Sequence, residues 1–529
     1  MGIYLSAGVY SKELDISNII PNVSTTTAGI VGYSTKGDIT QLRLITSTQQ
    51  FIAEYGEPVP GNYFHYSALA FLGNGNTLYC LRVANGAKYG GAKIKTSVSS
   101  QANIGLAAGS STREFVAVSG EDNLFTIYGK DPGVWNNDIG IRITNVVNAD
   151  YEFDIEVYYT DANGITSMVE SWTVSRTIKT DGYGRQLYLE DRINNFSDYI
   201  WVADDTTQAS TVMPKAQATT LDFLSGSDGT AVASGDVITG WGFFSNPDNV
   251  DVRILIGAGQ TDVVVQSAIL AIAEARKDCI ALLDMPYAQL ASVSSMVNWR
   301  DVTQNFNSSY CALYAPWLKI YDSFNNKMVE IPPSGYVASQ MAYNDYVANV
   351  WYAPAGFNRG LLNVLGLTNV FTQGERDTLY SSGINPIQMF RGQGTAIWGQ
   401  KTEQAKASAL DRINVRRLLI TIEKSIAIGL NSFVFEPNSE ITRDRVTAMI
   451  ETFMDTLSSR GAFQTELDDK GYQIVCDETN NTPAVIDNNE LHVDVFVKPS
   501  RAAEFIQLQT IITTTGASFS ELIAKGINL

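Results

Sequence analysis

Arg253-Ile254-Leu255-Ile256-Gly257-Ala258-Gly259 is followed by Gln266-Ser267-Ala268-Ile269-Leu270-Ala271-Ile272-Ala273-Glu274-Ala275-Arg276 and then by Cys279-Ile280-Ala281-Leu282-Leu283. The first run is short, apolar and closed by glycine, which predicts a buried strand at 253–256. The second has apolar residues at helical spacing and predicts a helix over 266–276. The third predicts another strand, ended by Asp284-Met285-Pro286. Strand, helix, strand in succession predicts a parallel sheet. Tyr310–Tyr314, closed by Pro316, adds a further strand. Upstream, Thr25–Tyr33 and Thr77–Val83 read as strands of the same kind, with helices at Thr46–Tyr55 and Tyr66–Leu72 between them. These stretches together define an α/β core.

Between the two halves of that core the pattern changes. From Phe115 to Val202 the chain carries repeated strand-like runs such as Phe153-Asp154-Ile155-Glu156-Val157, separated by turns such as Asp161-Ala162-Asn163-Gly164 and Asp181-Gly182-Tyr183-Gly184. Residues 116–225 hold 17 Asp and Glu against 7 Lys and Arg. This predicts an inserted, acidic, all-β domain that faces solvent. Beyond the core, 402–430 predicts a long helix with the stripe Ile413, Leu418, Leu419, Ile422, Ile426 and Leu430. Thr442–Ser459 predicts a second helix, and Tyr472–Cys476 and Leu491–Val497 predict strands. Phe505–Thr514 reads as extended. At the other end, Ile3-Tyr4-Leu5 and Val9-Tyr10 favour extended backbone, with Gly2 and Gly8 between them and no helical period.

The expected organisation is therefore a multidomain α/β and α+β chain, an α/β core with an inserted all-β domain and extended terminal arms. The segments are an arm at 1–20, core at 21–115, the insertion at 116–225, core again at 226–395, an α+β domain at 396–504, and a strand and arm at 505–529.

Composition narrows the function. The 529 residues are 45% hydrophobic and 17% charged, an ordinary globular balance. The net charge of −18 argues against nucleic-acid binding, which needs basic surface to displace counterions. Residues 396–460 differ from the insertion, with 9 Lys and Arg against 8 Asp and Glu, and could tolerate a negative partner. No apolar run of membrane-spanning length is present, and Met1–Tyr10 lacks the features of a signal peptide, so cytoplasmic synthesis without membrane insertion is expected. Cys80, Cys279, Cys311 and Cys476 form no CxxC pair and are expected as buried thiols.

Catalytic constellations are missing from the pattern. The two histidines, His65 and His492, lie far apart in sequence and are expected to be structural. There is no HExxH, paired-cysteine or GxxxxGK[ST] spacing. The Gly257-Ala258-Gly259 turn would need glycine at position 262 for a dinucleotide site, and Asp262 stands there. No cofactor or metal is expected, and an α/β enzyme has no residues to rest on.

A resemblance fills that gap. Ser6-Ala7-Gly8-Val9-Tyr10-Ser11-Lys12-Glu13 resembles the PGVYVEE pattern at the start of contractile tail sheath proteins, with Ala7 in place of Pro and Lys12 in place of an acid. Asp131-Pro132-Gly133-Val134-Trp135-Asn136-Asn137 resembles the family's PGxWGN turn, and Leu224-Ser225-Gly226-Ser227-Asp228-Gly229 its glycine-rich exit from the insertion. Tyr314-Ala315-Pro316-Trp317, Ile331-Pro332-Pro333-Ser334-Gly335, and Trp351-Tyr352-Ala353-Pro354-Ala355-Gly356 resemble its PW, PPSG and WxAPAN runs. Gly383-Ile384-Asn385-Pro386-Ile387, Trp398-Gly399-Gln400-Lys401-Thr402 and Ile413-Asn414-Val415-Arg416-Arg417 follow in the family's order. Locally, each motif also serves as a turn or as packing, and Trp135, Trp317, Trp351 and Trp398 are expected to pack in cores or between domains.

The resemblance implies a structural subunit, not an enzyme. Hexameric rings would stack into a helical sleeve around a tail tube, and a baseplate would trigger a contraction that drives the tube through the host envelope. The implied partners are further copies of the chain, the tube protein, and baseplate and tail terminator proteins. The implied location is the virion tail, assembled in the host cytoplasm. The sheath of a bacteriocin-type or secretion-type injection machine is the alternative. Strands from neighbouring arms would join a C-terminal sheet. The expected arm residues are Ile3, Tyr4, Leu5, Val9, Tyr10, Phe505, Ile506, Leu508 and Ile511. The expected receiving strand carries Leu491, Val493, Val495 and Val497. Arg443 and Arg445, at the start of the second helix, are the expected tube contact.

Overall fold

Strands buried on both faces need apolar residues at every position, and the central sheet is built from such strands. The computed structural model describes residues 20, 24–95, 111–115, 123–161, 163–466 and 469–507. Its largest sheet has nine strands, in the order Leu361–Leu362, Gly394–Ile397, Ile384–Phe390, Cys311–Ala315, Ile280–Asp284, Ile254–Ile256, Ala28–Tyr33, Leu78–Val83 and Arg43–Ile45. The six strands from Ile384–Phe390 to Leu78–Val83 run parallel, and antiparallel strands flank them on both sides. Alternate residues feed two cores. Ile254, Ile256, Ile280 and Leu282 pack on one face, and Leu255, Ala281 and Leu283 on the other.

Local chemistry sets the crossover helices. Ser47 caps Thr48–Tyr55, Asn62 caps Tyr63–Leu72, and Asp262 caps Val263–Arg276, each through its side-chain oxygen. Helix Tyr63–Leu72 packs against Ser334–Val347 on the first face, while Val265, Ile269 and Ala273 of Val263–Arg276 enter the second core.

The acidic insertion folds around a core of its own that includes Phe125, Ile141, Phe153, Ile155 and Val202. Four antiparallel strands follow the order Leu221–Asp222, Ile139–Val147, Glu152–Thr160, Thr166–Val174. A second sheet is formed by Gly91–Lys95, Asn123–Gly129 and Ile200–Asp204. Two expectations need correction here. Gly91–Lys95, assigned from sequence to the first part of the core, pairs with Asn123–Gly129, so the unit draws a strand from before residue 116. Within the expected succession of strand-like runs, Arg185–Glu190 is not a strand throughout, because helix Leu189–Asn194 begins within it.

The insertion joins the core through two chain segments that run side by side. Lys88 and Ser227 exchange backbone hydrogen bonds, and Thr230 N donates to Asn85 O at 2.8 Å. Gly229 is required there, since its φ is +80° and a Cβ would collide with the Asn85 carbonyl. The fully buried Arg82, on core strand Leu78–Val83, donates to Gly37 O (3.0 Å) and across to Pro132 O (2.5 Å). Lys36 Nζ lies over the rings of Trp135 and Tyr199 at 4.9 and 5.2 Å.

The expected helix over 402–430 is shorter, Ile413–Leu430. Residues before it fold back on themselves: Thr402 N donates to Asp411 O, and Thr402 Oγ1 donates to Leu410 O. Glu403 is buried against Cys311, so this segment belongs to the wall of the core.

Candidate functional site

The C-terminal region packs two helices, Ile413–Leu430 and Glu440–Ser459, beneath a small sheet. Ser439 caps the second helix, which begins at Glu440, two residues before its expected start. Leu418, Ile422, Ile426, Val446, Ile450 and Met454 form the core between them. Ile20 is buried in this core as well. Gly429 leaves room for it, since a Cβ there would lie 2.8 Å from Ile20 Cγ1. The chain leading from the N-terminal segment therefore enters the fold on the C-terminal helices.

The sheet consists of Tyr472–Val475 and Asp494–Val497, antiparallel, with Tyr472 opposite Val497 and Val475 opposite Asp494. Ile474, Val495 and Val497 pack toward the helices, while Gln473, Asp494 and Phe496 face outward. Among the described residues no third strand joins either side, so both outer rows of backbone groups are open.

The expected receiving strand over 491–497 is only partly a strand. Leu491 and Val493 pack against the helices, but the backbone of His492 is occupied by the Asn481 side chain, which accepts from His492 N at 2.8 Å and donates to His492 O at 2.9 Å. Val495 and Val497 lie within the strand.

Past the sheet, Glu504 fixes the chain. Its carboxylate accepts from Arg412 Nε (2.7 Å), Gln400 Nε2 (3.0 Å) and the Tyr380 hydroxyl (3.0 Å). Phe505 and Ile506 then stand 83% and 88% exposed, without regular structure. Ile3, Tyr4, Leu5, Val9, Tyr10, Leu508 and Ile511 lie outside the described residues. Arg443 and Arg445 lie two positions apart and are not equivalent. Arg443 is buried and donates to Asn438 Oδ1 at 2.9 Å, so its guanidinium is spent inside the subunit and not offered at the surface. Arg445 is exposed, with its guanidinium over the Phe433 ring at 5.5 Å.

At the ends of the parallel strands, where α/β folds hold ligands, Asp284 and Ser334 are buried against each other. Asp284 is buried there and accepts from Gly259 N (2.8 Å), Ser334 N (2.9 Å) and Ser334 Oγ (2.6 Å). Burial pushes its carboxyl up to about 6, against the pull of these bonds. His65 is buried among Phe51 and Phe64, next to Ser34 Oγ, and burial lowers its basicity. His492 is exposed and pairs with Glu490 at 2.9 Å. The four cysteines are buried and free.

One open cavity of about 600 Å³ lies between core and C-terminal region. Trp351, Tyr352, Tyr380 and Trp398 wall it, Arg359, Arg376 and Arg501 contribute positive charge, and Asp377 and Glu504 contribute negative charge. Trp135, Trp317 and Trp351 are buried as expected, but Trp398 is 39% exposed in this cavity, its ring tilted against those of Phe357 and Phe390. The groove leaves no local pattern in the sequence, because its walls come from 351–359, 373–386, 398–400, Gly461 and 500–505.

Residues 231–403 match the family described as phage tail sheath protein central domain, and residues 405–513 match the phage tail sheath C-terminal domain. The tail sheath protein of Enterobacteria phage T4 is 31% identical over 364 residues, which cover 65% of this chain and 53% of that protein. That of Vibrio phage KVP40 is 32% identical over 334 residues, covering 58% and 49%. The chain spans about half the length of these relatives. Among solved structures, a sheath tail protein from Listeria innocua superposes with a TM-score of 0.59 at 11% identity, covering 90% of this chain and 96% of that one. The sheath of an extracellular contractile injection system in its contracted state gives 0.56 at 17% identity, covering 97% and 98%. At such identities the likeness is one of fold.

Proposed function

The chain belongs to the phage tail sheath family, and on that premise we propose that it is the structural subunit of a contractile phage tail sheath. Copies stack as hexameric rings into a sleeve around the tail tube, in the virion, after assembly in the host cytoplasm. A baseplate triggers contraction, and the shortening sleeve drives the tube through the host envelope. The partners are other copies, the tube protein, and the baseplate and terminator proteins. No catalytic step, cofactor or nucleic acid enters this reading.

The observation that carries it is the open two-stranded sheet Tyr472–Val475 and Asp494–Val497. An unpaired sheet edge is a template for a strand from another chain. Residues 3–16 and 505–529 of neighbouring copies supply those strands. Each backbone hydrogen bond contributes about 1 kcal/mol net, so one arm holds modestly and a lattice of them holds firmly. Main-chain pairing also survives a change in how subunit bodies pack, which contraction demands. Arg445 contacts the tube, and the acidic insertion lies on the outside, where like charges have room to separate. The same mechanism would serve a bacteriocin-type or secretion-type machine. The phage reading is favoured by 31% identity to a phage sheath over most of the chain, against 17% to the injection-system sheath.

Deleting residues 1–16 tests the reading, because Ile20 and its buried seat remain. The expected product is a folded monomer that forms no sleeves in negative-stain micrographs. Normal sleeves from the shortened chain would overturn the arm assignment. Discrete small oligomers from the intact chain, in place of rings or tubes, would overturn the function itself.

A further inference from the structure

The elbow between the two C-terminal helices holds a side chain in an unfavourable place. Phe435 is fully exposed, and its φ of +71° lies in the left-handed region, which is costly for any residue with a Cβ. Its neighbour Phe433 is buried, so the elbow has already supplied its aromatic to the core. Val434 and Ile441 are also exposed. Glu436 follows, and its carboxylate has no partner among the described residues. Among the described residues nothing packs on this projecting Phe-Glu pair.

The cavity between core and C-terminal region has the opposite character. It is open and aromatic-walled, and it bears three guanidiniums, those of Arg359, Arg376 and Arg501, against the carboxylates of Asp377 and Glu504, of which Glu504 is already bonded to Arg412. Arg359 lies over the Tyr352 ring at 4.9 Å and Arg376 over Phe390 at 5.9 Å, and among the described residues neither is in an ion pair. The chain's own residues 500–505 line the cavity without filling it.

A polymer of identical subunits joined head to tail must carry both halves of each contact on one chain. We infer that the elbow of one copy plugs the cavity of the next, with Phe435 against Trp398 and Tyr352 and Glu436 facing Arg359 and Arg376. A buried aromatic anchor supplies the affinity and the charge pair the orientation. This inference rests on the sheath reading and deepens it, adding a side-chain contact to the backbone pairing of the arms.

Phe435→Gly separates this role from a role in folding, because glycine relieves the positive φ. The melting temperature of the monomer should hold or rise, while the critical concentration for polymerisation rises about tenfold or more, the equivalent of about 1.4 kcal/mol. Glu436→Arg should do the same, and combining it with Arg376→Glu should restore assembly. With the four native cysteines buried, a mixture of Phe435→Cys and Tyr352→Cys chains should cross-link between copies under mild oxidation, and neither variant alone should. Unchanged polymerisation of Phe435→Gly, or failure of the charge swap to rescue, would overturn the inference. So would normal sleeves that no longer load onto the tube, which would make the tube the occupant. Failure of the wild-type chain to form sleeves would instead overturn the sheath reading.

Discussion

Arg417 and Asp345 form a two-pronged ion pair, Nη1 to Oδ1 at 2.9 Å and Nη2 to Oδ2 at 2.6 Å, with both side chains buried. It joins the first C-terminal helix to helix Ser334–Val347 of the core. The same guanidinium donates to Thr25 O at 3.2 Å, at the entry of the first core strand. Three chain segments thus meet at one charge.

Removing either partner leaves the other charged and buried. Arg417→Ala or Asp345→Ala is expected to cost about 3–5 kcal/mol. The double variant Arg417→Met, Asp345→Leu is expected to recover most of that loss. Chemical denaturation of the four proteins gives the coupling directly.

Glu403 makes stability depend on pH. Burial pushes its carboxyl up to about 7, with the Cys311 thiol (3.1 Å) and Arg300 opposing, and one carboxyl oxygen has no hydrogen-bond partner. The folded state therefore holds the proton more tightly than the unfolded chain, whose glutamate titrates at about 4.3. Its stabilising contribution is complete below that value and is lost as pH rises through about 7. The melting temperature should fall between pH 5 and pH 8; Asp284, raised to about 6, contributes to the same fall, and Glu403→Gln should remove the part centred nearer pH 7. An unchanged slope in that variant would assign the titration elsewhere.

Gly429→Ala should press on Ile20 and on Met449, whose Cε would lie 3.3 Å from the new Cβ. Overpacking of this kind costs about 1–3 kcal/mol. The sharper readout is limited proteolysis, in which the segment before Ile20 should be cut faster while the body of the protein resists.

Arg445→Glu should weaken sheath–tube co-assembly at low salt, with little effect on subunit stability, since the side chain is exposed. Arg443→Glu should instead destabilise the subunit itself, because it places a carboxylate in the buried site that donates to Asn438. Co-assembly of Arg445→Glu equal to wild type at low and high salt would remove Arg445 from the contact.

The parallel strands were legible because burial on both faces leaves short apolar runs closed by Gly or Pro, as at 253–259. The stretch 402–412 misled because Glu, Gln, Lys and Ala favour helix. There Thr402 and Glu403 are held by Leu410 and Cys311, contacts that local propensity cannot report. Gly91–Lys95 was missed because its partner lies beyond residue 122. In the candidate site, alternation over Leu491–Val497 points to a strand with one buried face, and the strand itself is Asp494–Val497. Spacing alone could not separate Arg443 from Arg445, since two positions on a helix differ in burial only once the neighbouring elbow is in place.

The double neck beneath the acidic insertion sets how that unit can move. A single connecting chain would act as a swivel, free to twist about its own axis. Two strands bonded side by side, with Arg82 bolted across to Pro132 and Lys36 seated on Trp135 and Tyr199, resist torsion. The insertion must then turn with the core through the same angle, and the displacement of its far tip grows with its distance from the axis of rotation.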